Sequence, residues 1–205
     1  MTEERKGRGP GYNLLFAGVG GQGTLLAADV VALLGMAVGY DVKKSEVHGM
    51  AQRGGSVTSH VRWGELVHSP LIMPGEVDYL VAFERLEALR YIDMLKPEGV
   101  VLINDYRIVP VSVSSGGGKY PTEEEEAAVY GEGIQDRLYV PATEMAREIG
   151  NARVNNVLIL GALSCFLDVP MEAWLRVISE RVPKRYVALN EEAFLRGRAF
   201  VHIRS

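Results

Sequence analysis

The feature that most constrains this chain is a short apolar run over residues 13–19 that ends in glycines and opens straight into an Ala- and Leu-rich stretch over 24–39. The run has the length of a buried strand, and the stretch behind it is long enough for about four helical turns. Between them stands Gly18-Val19-Gly20-Gly21-Gln22-Gly23. A strand, a glycine loop and a helix in that order begin a βαβ unit, which commits the chain to parallel pairing with the crossover helix laid on one face of the sheet.

The rest of the chain extends that theme. Residues 40–44 predict a second strand. Residues 56–63 alternate and are β-branched, the pattern of a strand with one polar face, and Gly64-Glu65 turns it toward 66–68 as a hairpin. Apolar runs at 77–83, 100–103 and 138–141 predict further strands. Apolar positions at 86, 89, 92 and 95 predict a helix over 84–95, stopped by Lys96-Pro97-Glu98-Gly99. Thr143 is placed to cap a helix over 144–149. Residues 155–167 are nearly all apolar and predict a helix buried on most sides. Asp168-Val169-Pro170 breaks it, and helices over 171–181 and 186–198 follow.

This alternation predicts an α/β fold: a single Rossmann-like doubly wound, mainly parallel sheet with flanking helices, some antiparallel pairing around 56–68, and a helical C-terminal part. The domain runs over 12–200, behind a flexible N-terminus at 1–11. Residues 107–136, with a Ser/Gly run at 114–118 and an acidic run at 123–126, read as an irregular, mobile surface excursion.

Composition removes several function classes. The net charge of −4 gives no pull toward nucleic acid or an anionic membrane. Lys6 and Arg8 are followed by no apolar signal region, and no apolar run is long enough to span a bilayer. The single cysteine, Cys165, excludes an internal disulfide and a cysteine-ligated iron–sulfur cluster built from this chain, and fits a reducing cytoplasm. His48, His60, His68 and His202 do not fall at metal-ligand spacing, so no metal site is expected. His60 reads as a structural strand residue and Asp105 as a turn residue. There is no serine nucleophile elbow, and no Cys–His pair is evident from the sequence, which argues against a self-contained hydrolase.

The glycine turn carries two readings of equal weight. Gly18, Gly20, Gly21, Gln22, Gly23 and Thr24 are candidate cofactor contacts, because glycines let the backbone approach a phosphate and a helix N-terminus attracts an anion. The dinucleotide fingerprint also requires an acid at the end of the second strand. Asp41 stands at that strand's start and Glu46 past its end, so the match is partial. The same turn serves equally to pack a strand tightly against its helix. Gly131-Glu132-Gly133 with Asn155-Asn156 has the outline of a thiamine diphosphate motif. Its acid is Glu and no strand precedes the glycines, so this chain is not expected to be the main diphosphate binder. Asn155 or Asn156 instead caps the helix that follows.

The loop Ser45-Glu46-Val47-His48-Gly49-Met50-Ala51-Gln52-Arg53-Gly54-Gly55-Ser56 is too polar to be a mere connector. It sets a carboxylate, an imidazole, an amide and a guanidinium between two strands. Together with the glycine turn it resembles the gamma-type domain of the 2-oxoacid:ferredoxin oxidoreductases, and looks most like the small (beta) subunits of the indolepyruvate-type enzymes. Ser69-Pro70-Leu71-Ile72, Glu87-Ala88-Leu89-Arg90, and Asn155-Asn156 before an apolar helix with Gly161 fit the same pattern, and the resemblance covers roughly 12–200.

The resemblance implies oxidative decarboxylation of aryl 2-oxoacids with CoA as co-substrate, giving an aryl-acetyl-CoA, CO₂ and reduced ferredoxin. It implies a large alpha subunit as partner, in a heterodimer or heterotetramer, carrying thiamine diphosphate, Mg²⁺ and 4Fe-4S clusters. This chain would hold none of these by itself and would be inactive alone. Glu46, His48, Gln52 and Arg53 would be supporting catalytic residues: Arg53 pairing with a carboxylate or CoA phosphate, Gln52 and His48 hydrogen-bonding substrate or cofactor, Glu46 orienting them. Three other readings stand beside it. In one the chain is a gamma subunit acting on another 2-oxoacid; in another the loop only stitches a subunit interface on a Rossmann-like scaffold; in the third the glycine turn makes a free-standing NAD(P)-binding oxidoreductase.

Overall fold

The computed structural model describes residues 11–48, 55–131, 134 and 136–204. Its sheet has six strands in the order β2-β3-β1-β4-β5-β6. They are β1 (Tyr12–Val19), β2 (Asp41–His48), β3 (Ser56–Gly64), β4 (Val77–Ala82), β5 (Leu95–Asn104) and β6 (Arg137–Val140). Neighbours β1–β4, β4–β5 and β5–β6 pair in parallel, and β3 pairs antiparallel with both β1 and β2. β3 is therefore the one strand that runs against the others among the described residues, and the expected mainly parallel doubly wound sheet is observed.

β1 sits at the centre because its sequence leaves it no other place. Leu14 and Phe16 point into one core and Leu15 and Ala17 into the other, all fully buried, and a strand apolar on both faces must be covered on both. The first face is covered by α1 (Thr24–Ala37), α5 (Ala142–Glu148), α6 (Asn155–Leu163), α7 (Met171–Arg181) and α8 (Val187–Arg204). The helical C-terminal part thus forms most of one layer. There α6 and α8 touch backbone to backbone: a Cβ on Gly161 would lie 2.0 Å from the Phe194 carbonyl oxygen, and one on Gly197 1.9 Å from that of Leu158. The second face is covered more thinly, by α2 (Arg85–Arg90), the 3-10 turn Ile92–Met94 and α4 (Glu123–Tyr130).

Several local expectations are corrected. Residues 45–48 belong to β2, so the strand is longer than 40–44 and the polar loop is shorter than it looked. The hairpin is formed by β2 with β3, in register from Asp41↔Gly64 to His48↔Val57, and not by 56–63 with 66–68. The helix expected over 84–95 ends at Arg90, because Ile92 and Leu95 are buried by the 3-10 turn and the start of β5. Pro97 lies inside β5, where the register against β4 shifts between Val77 and Tyr79; a bulge accommodates a proline that cannot donate to the ladder.

The stretch 107–136 is not irregular throughout. It holds a short α3 (Val111–Ser114) and α4, whose N-terminus is a capping box: Thr122 Oγ1 accepts from Glu125 N–H while the Glu125 carboxylate accepts from Thr122 N–H. It is fastened to the end of β4. The buried Glu84 carboxylate accepts from Tyr120 Oη and from Ile108 N–H (3.0 Å), and Arg85 pairs with buried Glu126 at 3.0 Å. The acidic run misleads because the cation that neutralises its buried member lies 41 residues earlier in the chain.

Candidate active-site edge

The chain leaves β1 toward β2 on one side, and β4 then adds on the other, so the winding reverses at the C-terminal ends of β1 and β4. In open α/β sheets the loops diverge at such a point and leave a crevice. The glycine turn after β1, the β2–β3 hairpin and the residues after β4 and β5 all meet there.

The turn is built by glycines in the left-handed region, Gly21 at φ 100° and Gly23 at φ 81°. Gln22 is folded back into the crevice. Its Oε1 accepts from Val19 N–H at 2.7 Å and its Nε2 donates to the Phe83 carbonyl at 2.8 Å, so one side chain clasps the ends of β1 and β4. Asn104, fully buried at the end of β5, donates to the same carbonyl (3.1 Å) and to Thr143 Oγ1 (2.9 Å), and its Oδ1 accepts from Thr143 N–H. Thr143 is therefore an interior residue of α5 bonded to β5, not the cap expected of it.

A Cβ on Gly18 would stand 2.4 Å from Thr24 Oγ1, and one on Gly23 would stand 2.5 Å from Asn156 Nδ2. Packing thus accounts for Gly18, Gln22 and Gly23. Thr24 Oγ1 is buried without a hydrogen-bond partner among the described residues. Gly20 and Gly21 remain exposed, and Gly20 N–H donates to the Gly55 carbonyl at 3.1 Å, tying the turn to the hairpin.

Of the two acids weighed for a dinucleotide's ribose, Glu46 lies inside β2 and not past its end, and its carboxylate is ion-paired. Asp41 opens β2 at the opposite end of the sheet, where its carboxylate accepts from Lys43 and from Val67 N–H. Glu46 pairs with Lys44, which also bonds Asp29 of α1; Arg181 of α7 holds the same Asp29 at 2.6 Å. The hairpin arm is thereby fastened to two helices beneath it. His48 is the last residue of β2, and only its backbone is described. Gln52 and Arg53 lie outside the described residues.

The residues with the outline of a thiamine diphosphate motif do not fit that group here. Gly131 closes α4, and Glu132 and Gly133 lie outside the described residues. Asn155 Nδ2 reaches toward Thr143 Oγ1 at 3.5 Å. Asn156 Nδ2 donates to the Gly23 carbonyl while its Oδ1 accepts from Val157 N–H, so Asn156 joins α6 to the glycine turn. Neither asparagine is the side-chain cap of α6, which starts from Val154 without one. No group of three potential metal ligands occurs among the described residues.

Beside the turn lies a cleft of about 420 Å³ whose wall includes Gly21, Gly23, Tyr106, Arg147, Arg153 and Asn155. Arg147 lies over the Tyr106 ring at 5.8 Å. Two guanidiniums and a glycine turn make this cleft fit for an anionic group. A larger hollow of about 1090 Å³ lies at the opposite edge, between the start of β1 and the loop after β3, away from the converging loops.

The sequence set Ser56 at the end of the polar loop and Glu87 in a stretch that fits the family, but not the contact between them that roots the hairpin. Ser56 Oγ donates to the Glu87 carboxylate at 2.5 Å and lies 3.0 Å from Tyr91 Oη. Glu87 is 2% exposed, and its other oxygen pairs with Arg90 at 3.1 Å. Burial pushes the Glu87 carboxyl above the usual glutamate range, against the lowering pull of the Ser56 hydrogen bond and of Arg90. Read locally, Glu87 is an acid at the third position of a helix led by another acid, which fits favourable helix-terminus charge equally well. His60, expected to be structural, is half-buried with Nδ1 accepting from Ile72 N–H at 3.3 Å, and burial lowers its pKa.

The fold and this edge define a class. Residues 13–200 match the pyruvate ferredoxin/flavodoxin oxidoreductase family, and the chain belongs to it. Among solved structures it is similar to the gamma subunit of a keto/oxoacid ferredoxin oxidoreductase from Geobacter sulfurreducens, with a TM-score of 0.68 and 27% identity over 91% of this chain and 95% of that one. It shares its fold with part of the 2-oxoglutarate:ferredoxin oxidoreductase of Magnetococcus marinus, with a TM-score of 0.71 and 24% identity over 94% of this chain and 31% of that one. In sequence it is 40% identical to the indolepyruvate oxidoreductase subunit IorB of Thermococcus kodakarensis over 91% of this chain and 94% of the relative. It is 37% identical to the subunit of the same name from Archaeoglobus fulgidus, over 90% and 92%. The resemblance drawn from the sequence is borne out. The chain is a subunit of a 2-oxoacid oxidoreductase, and among the described residues no helix is long and apolar enough to cross a membrane.

Proposed function

We propose that this chain is the small subunit of an indolepyruvate:ferredoxin oxidoreductase, and that its β2–β3 hairpin forms one wall of an active site completed by a large subunit. The observation that carries the reading is the root of the hairpin. The stretch that carries Gln52 and Arg53 in sequence is flanked, at the winding reversal, by the Gly20–Gly55 hydrogen bond and the Ser56–Glu87 contact. The relatives named IorB, similar over nine-tenths of the chain, support the aromatic 2-oxoacid as substrate class.

In the assembled enzyme an aryl 2-oxoacid and CoA become an aryl-acetyl-CoA and CO₂, and two electrons pass to ferredoxin. Thiamine diphosphate held by the large subunit supplies the carbanion chemistry. The residues of this chain act around it. Arg53 offers a bidentate partner to a carboxylate or phosphate, and Gln52 and His48 offer hydrogen bonds that fix orientation. Glu46, paired to Lys44, steadies the β2 arm of the hairpin. The hairpin as a whole keeps water from a site where a carbanion would be protonated prematurely. Gly21, with Arg147 and Arg153 in the neighbouring cleft, forms an anion-binding subsite for the co-substrate. Alone, the chain turns nothing over, since it provides one wall only.

The test is co-expression with a large subunit of the same family, followed by an assay of CoA-dependent electron transfer to ferredoxin or a viologen dye. Indolepyruvate and phenylpyruvate are expected to drive reduction, with pyruvate and 2-oxoglutarate weak and either subunit alone inert. Preference for an aliphatic 2-oxoacid would overturn the substrate assignment. Tight nicotinamide binding by the isolated chain would overturn the subunit reading.

A further inference from the structure

We infer that Glu87 is a positioning residue for the active-site hairpin, acting through Ser56; the inference rests on the hairpin being that wall. Ser56 is the first residue of β3 and stands opposite Val19, the last residue of β1, so it marks where the loop leaves the sheet. Gly55, the residue before it, accepts from Gly20 N–H at 3.1 Å, so Ser56 is seated beside the glycine turn.

Two kinds of contact hold it. The backbone ladder to β1 fixes the height of Ser56 along the sheet. The side chain fixes its rotation: Ser56 Oγ donates to Glu87 at 2.5 Å and lies 3.0 Å from Tyr91 Oη. Glu87 is itself immobilised. It is almost wholly buried, its second oxygen is taken by Arg90, and its backbone N–H donates to the Glu84 carboxylate at 3.1 Å. Glu84 in turn accepts from Ile108 N–H and Tyr120 Oη. A continuous chain of polar contacts therefore runs from the segment after β5, through α2, to the root of the hairpin.

A helix N-terminus could be stabilised by an exposed acid at the same position. Burying the carboxylate and aiming it at a loop root is costly and does nothing extra for the helix. The arrangement suits a loop whose side chains must reach a partner's substrate with small tolerance, since a displacement near 1 Å can cost about a hundredfold in rate.

The experiment uses the assembled two-subunit enzyme carrying Glu87→Ala, Glu87→Gln, Ser56→Ala, the double Glu87→Ala/Ser56→Ala, and Arg53→Ala. Turnover per assembled complex, KM for the aryl 2-oxoacid and Tm are measured for each. Glu87→Ala is expected to lower kcat roughly tenfold or more with KM changed less than about threefold, the signature of misplacement. Glu87→Gln keeps an oxygen for Ser56 and restores most of the loss. Ser56→Ala reproduces the defect, and the double variant is no worse than either single one, because both remove the same contact.

Should Glu87→Ala prevent assembly, Ser56→Ala and Glu87→Gln carry the test. Full kcat in Ser56→Ala and Glu87→Ala with a large loss in Arg53→Ala would overturn the role of Glu87 while leaving the hairpin as a wall of the site. Full kcat in all of them, Arg53→Ala included, would overturn the hairpin reading and the inference with it. Loss of Tm in step with loss of kcat in Glu87→Gln would reduce Glu87 to a stability residue.

Discussion

Replacing Gln22 separates its two possible roles, clasp and ligand contact. In Gln22→Ala the Val19 N–H, on a residue only 9% exposed, loses its acceptor, while the Phe83 carbonyl keeps the bond from Asn104. An orphaned, largely desolvated donor costs about 1–3 kcal/mol, and a carbonyl that keeps one partner loses little, so the sum is about 2 kcal/mol. For a chain of this size each kcal/mol moves Tm by about 2–4 °C, which places the expected fall at about 4–8 °C. Gln22→Glu adds a sharper signature. One carboxylate oxygen still accepts from Val19 N–H, but the other meets the Phe83 carbonyl with no proton between them. At neutral pH this variant is expected to be no more stable than Gln22→Ala, and to gain on it as the pH falls and the carboxyl acquires a proton to donate. Thermal unfolding at several pH values reads both effects. A Gln22→Ala protein with Tm unchanged to within about 1 °C, and a raised KM in the assembled enzyme, would refute the clasp and make Gln22 a ligand contact.

Two further perturbations probe what the structure shows elsewhere. Arg85→Ala removes the nearest cation from Glu126, leaving a carboxylate that is 3% exposed with Arg107 at 3.7 Å as its remaining partner. The expected loss is about 2–3 kcal/mol in denaturant unfolding, at or below the usual cost of breaking a buried pair, and Glu126→Gln in that background should recover part of it; an exposed, irregular excursion would show neither effect. His60 is kept neutral by burial and by its contact to Ile72 N–H, so its folded-state pKa lies below the 6.5 of an unfolded chain. Between those two values the unfolded chain binds the extra proton, so His60 contributes stability above 6.5 that is lost as the pH falls through its folded value. His60→Gln should flatten that part of the stability–pH curve, and an unaltered slope would remove His60 as its origin.

The layered architecture was legible because it follows from short-range patterning. Leu14 to Ala17 are apolar on both faces and therefore central; residues 157–163 are apolar all round and therefore buried; Gly21 and Gly23 need backbone angles that mark the turn after β1. Strand pairing was less so, because register is a contact between distant residues. Nothing local in 41–48 says that it pairs with 56–64 rather than letting 56–63 fold back on 66–68.

The sequence by itself determined the class of fold and, through the glycine turn and the polar loop, the family. Those depend on residue type, spacing and composition. Only the tertiary structure decided that Gln22 spans two strand ends, that Asn156 packs on Gly23 across 133 residues, that Glu126 is a buried ion-pair member within an acidic run, and that Glu87 sits beneath Ser56. Each of these depends on a polar group meeting its partner in a low-dielectric interior. Such a meeting is fixed by how the layers pack, not by the spacing of residues along the chain.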